Sequence, residues 1–337
     1  MTPGRVLYRR RSYDFDDSLL AGLDVSRASF VGTVAAILRG DYDLLELNEP
    51  TMVGIWPRLV MYCAAFRVAR HMRGVGAHPR CVLYAIDNFD VRTGVARYKP
   101  GLAPVTTRVF DLVFPYLLGT FSRVAFGTQG AWENYAELSR GKVAITDSTV
   151  LTELRAVCPC TDLEAKRDGV LFVGNLDDRK GIKQLMAVWP LIKVASPQLA
   201  LVIVGKGRLR EQVEGWCTPR PEVTFISDPP RSVIHEQYRR AGAVVLLSQP
   251  RATWREQVGL PLVEGLAHGC EIVTTSETGI ADWLRGHGHQ VVEAADPPRR
   301  VVDAVCRAVG SGRSRAEIVA SLPVEDVRVT ADLWLMR

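Results

Sequence analysis

Short apolar runs alternate with longer amphipathic stretches along most of this chain. In the first half the apolar runs predict strands at residues 5–10, 42–48, 81–86, 124–127 and 142–146. Helical periodicity falls at 27–38, closed by Gly40, at 55–73 and at 132–138. The 55–73 segment sets Trp56, Leu59, Val60, Cys63, Phe66 and Met72 against Arg58, Arg67, Arg70 and Arg73. Such a basic amphipathic helix either faces a core or lies on a membrane interface. A polar loop is expected around Tyr98, Lys99 and Pro100, then a buried, kinked helix at 107–119, which is apolar but carries Asp111 and Pro115. Proline, glycine and charge replace the apolar pattern near 157–169 and mark a boundary. Beyond it strands are expected at 170–174, 201–205, 223–227, 243–248, 271–275 and 290–293, with a last helix at 299–309. This alternation implies parallel α/β sheets. The expected architecture is two doubly wound, Rossmann-like domains facing a ligand cleft, at 1–161 and 162–318, with 319–337 packing back on the first.

One stretch organises the second half: residues 254–269, WREQVGLPLVEGLAHG. It follows the buried strand at 243–248. Pro261 suits the first turn of a helix, and Gly269 suits its exit. Glu256 therefore sits in the loop before the helix, Gly259 and Leu260 at its N-terminus, and Glu264 about one turn inside. Unpaired N–H groups and the helix dipole at such an end favour an anion such as a diphosphate. A carboxylate on either side can accept hydrogen bonds from sugar hydroxyls, so the arrangement suits a nucleotide-sugar. The plainer alternative makes both glutamates solvated charges around a helix start.

Two further elements point to phosphate. In residues 170–182, VLFVGNLDDRKGI, Gly174 ends a strand, and Lys180 and Gly181 open the next helix. A lysine there places a point charge on a diphosphate. Gly205-Lys206-Gly207 follows another buried strand, and its backbone can approach a ligand closely.

With the E-x7-E spacing of Glu256 and Glu264, the Lys-Gly element and the strand–helix order, residues 170–284 resemble the C-terminal half of family 4 retaining glycosyltransferases of GT-B architecture. The resemblance implies transfer of a sugar from a nucleoside diphosphate donor with retention of configuration. Glu256 would bind the transferred sugar and Glu264 the ribose diol. Lys180 with the Gly259 and Leu260 N–H groups would stabilise the departing diphosphate; no metal or other cofactor is required. Relatives usually carry arginine where Asn175 stands, and Arg179 is the available substitute. Gly174, Gly205 and Lys206 complete the expected donor pocket. The first domain matches less well, with YRRRSYDFDD in place of a glycine-rich loop and no histidine after the third strand. Asp87 and Asn88 occupy that place, where Asp87 either orients the acceptor hydroxyl or caps a loop.

The chain has 337 residues, 47% apolar and 23% charged, which suits a globular protein of two ordinary domains. No run of 18 apolar residues exists and the N-terminus lacks an apolar signal region. Seven scattered cysteines suggest reduced thiols and a cytoplasmic setting. Cys158-Pro159-Cys160 has no ligand at regular spacing and reads as structural, and Gly-His-Gly-His at 286–289 reads as a turn. The net charge of +5 falls mostly on residues 1–161. Residues 67–108 hold eight basic and two acidic side chains, which form either a patch suited to an anionic lipid surface, the inner face of the plasma membrane included, or to a phosphorylated acceptor, or simply a solvated helix face and loop. Three functions compete: a glycosyltransferase acting on a glycan, lipid-linked or small-molecule acceptor; a non-catalytic nucleotide-sugar binder; and a nucleic-acid-modifying transferase. Arginine excess alone suggests the third, and no nucleic-acid-binding motif accompanies it.

Overall fold

A computed structural model of the chain describes residues 4–10, 22–72, 79–98, 100–139, 147–165, 168–251 and 254–337. Two compact units emerge, one from residues 1–127, 131–151 and 328–337, the other from 128–130 and 152–327.

The first unit includes β1 (Val6–Tyr8), which among the described residues pairs in parallel only with β2 (Val25–Arg27), forming a two-stranded sheet. Arg27, expected in the first helix, is therefore in a strand. The helix α1 (Phe30–Arg39) starts later because Ser29 caps it, accepting the Gly32 N–H at 3.0 Å, and it ends on left-handed Gly40 as expected. There follow β3 (Leu44–Glu46), α2 (Trp56–Met72), β4 (Arg80–Ala85), α3 (Val91–Tyr98), α4 (Ala103–Leu118), β5 (Arg123–Phe126), α5 (Gln129–Ser139) and β6 (Ser148–Val150). The strands β3 to β6 form a parallel sheet in chain order. The expected strand at 142–146 lies outside the described residues; β6 fills the edge place.

Helix α3 replaces the expected polar loop. Asp90 supplies its start, its carboxylate accepting the Arg92 N–H at 2.8 Å and pairing with the Arg92 guanidinium at 3.1 Å. Gly94 looks like a breaker in the sequence, but a Cβ there would lie 2.9 Å from the Phe89 ring, so close packing accounts for it. Helix α4 also departs from expectation. Phe110, Phe114, Leu117 and Leu118 are buried, whereas Val105, Val109 and Leu112 form an exposed apolar stripe, Leu112 at 77%.

The apolar face of α2 is largely in the core. Trp56, Leu59 and Cys63 pack with Phe110, Phe114, Phe126 and Tyr135, and Phe66 with Ile37 and Cys81; Met72 alone of the expected face is exposed. The basic patch is partly used internally. Arg67 donates to the Tyr116 carbonyl at 2.8 Å and to Thr120 at 3.0 Å, and Arg92 also reaches Glu137. Arg73 lies outside the described residues, while Arg70 and Arg108 are exposed.

The second unit contains β7 (Asp168–Val173), α6 (Ile182–Ala195), β8 (Leu201–Gly205), α7 (Arg210–Cys217), β9 (Val223–Ser227), α8 (Arg231–Arg240), β10 (Ala241–Leu246), α9 (Leu260–Ala267), β11 (Glu271–Thr275), α10 (Ala281–Gly286), β12 (Gln290–Val292), α11 (Pro298–Val309) and α12 (Arg315–Val319). Its six strands are parallel, in the order β12-β11-β10-β7-β8-β9. The order reverses between β7 and β10, and loops leaving the carboxyl ends of these neighbours part to opposite sides. Strands β10 and β11 are buried throughout, as parallel strands covered on both faces must be.

The last helix, α13 (Val327–Met336), sets Ala331 and Leu335 on Val82 and Ala125 of the first unit's sheet. Arg123 donates to the Trp334 carbonyl at 2.9 Å and Arg80 to that of Met336, so two cations sit at the negative end of this helix.

In the second unit a buried ionic group ties the loop after α11 to the start of β11. Glu271, 1% exposed, accepts from Arg313 at 2.5 and 2.8 Å, Ser311 at 2.5 Å and His289 at 3.0 Å. His289, expected in a plain turn, is thus buried beside a carboxylate. Burial alone would raise the Glu271 pKa, but the His289, Arg313 and Ser311 hydrogen bonds outweigh it and hold the carboxyl at about 2. The folded value lies below the ordinary 4.5, so this contribution is complete above about pH 4.5 and is lost as pH falls toward about 2. Glu271→Gln is expected to cost about 3 kcal/mol at pH 7 in urea unfolding. The gap from the parent should close as pH drops through that window; a gap independent of pH contradicts the assignment.

Candidate active site

The candidate site of the second unit forms where the sheet order reverses. After β7 the chain passes Gly174, Asn175, Leu176 and Asp177 into a single tight turn, Asp178–Lys180. The Asp177 carboxylate accepts the Arg179 N–H at 3.0 Å and the Lys180 N–H at 3.3 Å, which fixes the turn. Gly181 then takes φ 73°, and a Cβ there would meet the Leu247 carbonyl oxygen at 1.9 Å. Both conformation and space demand glycine, and the close approach brings Lys180 to the loop after β10. Gly205 has a comparable role, because a Cβ would meet the Gly174 oxygen at 2.0 Å. Leu176 donates to the Lys206 carbonyl at 2.7 Å, so the Gly205-Lys206-Gly207 turn is zipped to the turn after β7.

From the other side come Ser248, Glu256 and the start of α9. Gly259 caps that helix with φ 88° and no side-chain hydrogen bond, and Pro261 stands in the first turn. Val258, Glu256 and Glu264 are buried, the two glutamates at 6% and 7% exposure. The solvated-charge alternative for the glutamates therefore fails.

Lys180 and Glu256 meet directly. The Lys180 Nζ is 2.6 Å from Glu256 Oε2, and the Ser248 hydroxyl donates to the same oxygen at 3.2 Å. Glu264 faces two guanidinium groups, Arg231 at 2.6 Å and Arg155 at 3.6 Å. Neither arginine stood out in the sequence; the signal was present only as cations at the start of α8 and before Cys158. Arg179 is held by Asp177 at 2.7 Å and stacks over Trp254 with its guanidinium 4.6 Å from the ring centre. Asn175 donates to Asp177 at 2.8 Å, so Asp177 joins both residues of the turn. Lys206 pairs with Asp228 at 2.8 Å on the surface.

Asp87 belongs to the first unit. Its carboxylate accepts the Phe89 N–H at 3.2 Å, which is the loop-capping alternative, and its own N–H donates to Glu49 at 3.1 Å. Glu49 was missed. It leaves the carboxyl end of β3 and accepts the Ile86 N–H at 2.8 Å and the Tyr135 hydroxyl at 3.0 Å. Burial pushes its carboxyl above the ordinary range and the Asp87 charge adds to this, against the Ile86 and Asp87 N–H groups. An acid just past a parallel strand was the available clue.

Cys158 and Cys160 are not isolated as expected: His235 of α8 and His268 after α9 close on them. None of the seven cysteines forms a disulfide.

A family model described as Glycosyl transferases group 1 matches residues 161–320. An uncharacterized glycosyltransferase of Methanocaldococcus jannaschii is 29% identical over 119 residues, 34% of this chain and 29% of that protein's length. A phosphatidyl-myo-inositol mannosyltransferase of Propionibacterium freudenreichii subsp. shermanii is 29% identical over 142 residues, again only 34% of its own length and 40% of this chain. The chain thus spans about a third of the curated relatives it matches. Among solved structures, the lipopolysaccharide outer core galactosyltransferase WaaB in its apo form has TM-score 0.64 at 14% identity, covering 98% of this chain and 87% of that one. The chain therefore has the fold of the GT-B glycosyltransferases, and residues 161–320 are similar to the group 1 glycosyl transferases.

Proposed function

We propose that the chain is a retaining glycosyltransferase that moves a hexosyl group from a nucleoside diphosphate donor to a glycan, glycolipid or natural-product acceptor. The observation that carries this reading is the Lys180–Glu256 pair beside the uncapped start of α9, at the reversal point of the sheet. The donor diphosphate lies against the Gly259 and Leu260 amides with Lys180 on its flank; Glu256 takes hydroxyls of the transferred sugar and Glu264 the ribose diol. Gly174, Asn175, Arg179, Gly205 and Lys206 border the same pocket in the second, donor-binding unit. The first unit carries the acceptor side, with Asp87 and Glu49 near its reacting hydroxyl, and the exposed α4 stripe suits a lipid-linked acceptor at a membrane surface.

Negative charge grows on the diphosphate as the C1–O bond breaks, and fixed cations and amides stabilise it more than they stabilise the bound donor. The acceptor attacks from the same face, and a donor phosphate oxygen takes its proton, so no protein nucleophile is required. Lys180 and the helix end supply positive charge without a metal at the diphosphate. The matched galactosyl- and mannosyltransferases support a sugar-transfer reaction. So does another structural neighbour, Anabaena Alr3699/HepE, which was solved in complex with UDP and glucose.

Asn175, where an added cation would strengthen the grip, favours the alternative of a donor binder without turnover. Release of nucleoside diphosphate from UDP- and GDP-sugars, with free sugars and vesicle-borne lipid acceptors offered in parallel, separates the two. Turnover is expected, and Glu256→Ala and Glu256→Gln should lower it at least about 100-fold with the circular dichroism spectrum preserved. Binding without turnover by the parent selects the binder. Parent-level turnover by both variants removes Glu256 from the reaction.

A further inference from the structure

Behind Glu264, on the far end of α9, four side chains converge from three separate stretches of chain. Cys158 and Cys160 come from the segment before β7, His235 from α8, and His268 from the residue just after α9. Their four ligand atoms lie within 4.8 Å of one another. The separations are 3.0 Å between the two sulfurs, 3.6 and 3.5 Å from these to His235 Nδ1, 3.3 Å from Cys160 Sγ to His268 Nε2, and 3.1 Å between the two ring nitrogens. A tetrahedral zinc ion with two sulfur and two nitrogen ligands has edges of about 3.3–3.8 Å, from bond lengths near 2.3 and 2.05 Å. The sulfur–nitrogen and nitrogen–nitrogen separations given match these edges to within about 0.3 Å, while the two sulfurs lie about 0.8 Å closer than their edge and would part slightly to admit the ion.

We propose that Cys158, Cys160, His235 and His268 bind one zinc ion in a closed, structural site. The surroundings are built for it. His268, 1% exposed, lies with Nδ1 2.7 Å from the Glu264 carbonyl, which fixes the proton there and leaves Nε2 aimed at the cluster. The Tyr238 ring stacks on the same imidazole, its centre 5.2 Å away. The cysteine segment is pinned in place by the Cys158 N–H and the Thr161 hydroxyl, which donate to the Ala267 carbonyl at 2.9 and 3.0 Å. On binding, the two thiols release their protons to solvent, and two thiolates with two neutral imidazoles neutralise the divalent ion. With all four positions taken by protein, no coordination site is open to substrate, so the ion is structural rather than catalytic. It would join α8, the end of α9 and the segment that carries Arg155, the three pieces that hold Glu264 between Arg155 and Arg231.

The test is the metal content of the full chain, expressed without a histidine tag and purified without chelator. Elemental analysis should find about one zinc per chain. Cys160→Ser and His235→Ala should lose it, and Cys306→Ser, remote from the cluster, should keep it. Because a ligand variant can fail to fold, the parent is also stripped with a chelator and titrated with cobalt(II). Strong visible absorption of tetrahedral, thiolate-bound cobalt is expected, with a drop in melting temperature on stripping that zinc reverses. The proposal is overturned by a parent free of zinc that gives no tetrahedral cobalt spectrum. It is also overturned by zinc that survives both ligand substitutions, by iron in its place, or by a Cys158–Cys160 disulfide in peptide mass spectra of freshly purified protein.

Discussion

A half-buried ammonium and a buried carboxylate, Lys180 and Glu256, face each other where the second unit's sheet reverses its strand order. The carboxylate is not tolerable there alone, because removing its cation leaves it desolvated, at a cost of about 3–5 kcal/mol. The pair is therefore a constraint on everything around it. It needs Gly181 to bring the lysine against the β10 loop, Ser248 to occupy the carboxylate further, and the α9 start to lie alongside with its amides uncapped. In the proposed reaction a diphosphate draws the lysine toward itself, and the carboxylate released from the pair turns to the sugar hydroxyls.

Glu264 meets the same difficulty with a different solution. It sits inside α9, also buried, and two arginines from elsewhere in the unit compensate it. Both acids are thus buried against cations, Lys180 for the one and Arg231 with Arg155 for the other. Glycines at 181, 205 and 259 let strand ends and loops approach more closely than a Cβ would allow.

The sequence carried the second unit well because each of its signals is local. An apolar run of five or six residues can only be a buried strand there, and Gly-Leu-Pro after a polar loop can only start a helix, so Glu256, Gly259 and Glu264 fell into place by spacing. What was hidden depended on contacts between distant residues. Arg155 and Arg231 are ordinary surface arginines until the fold sets them beside Glu264. Cys160 and His268 are 108 positions apart, and no periodicity links them. In the first unit, Gly94 concealed a helix that Asp90 starts, and β1 found a partner outside the main sheet, which no pattern along one strand can reveal. Apolar periodicity in α4 marked a helix correctly but could not tell which half of its stripe meets a core.

The central claim concerns where the diphosphate goes, and a crystal structure of the chain soaked with UDP or GDP tests it most directly. The account predicts phosphate oxygens within hydrogen-bond distance of the Leu260 amide and of Lys180 Nζ, with the ribose hydroxyls on Glu264. A nucleotide bound elsewhere, with Lys180 still closed on Glu256, contradicts it.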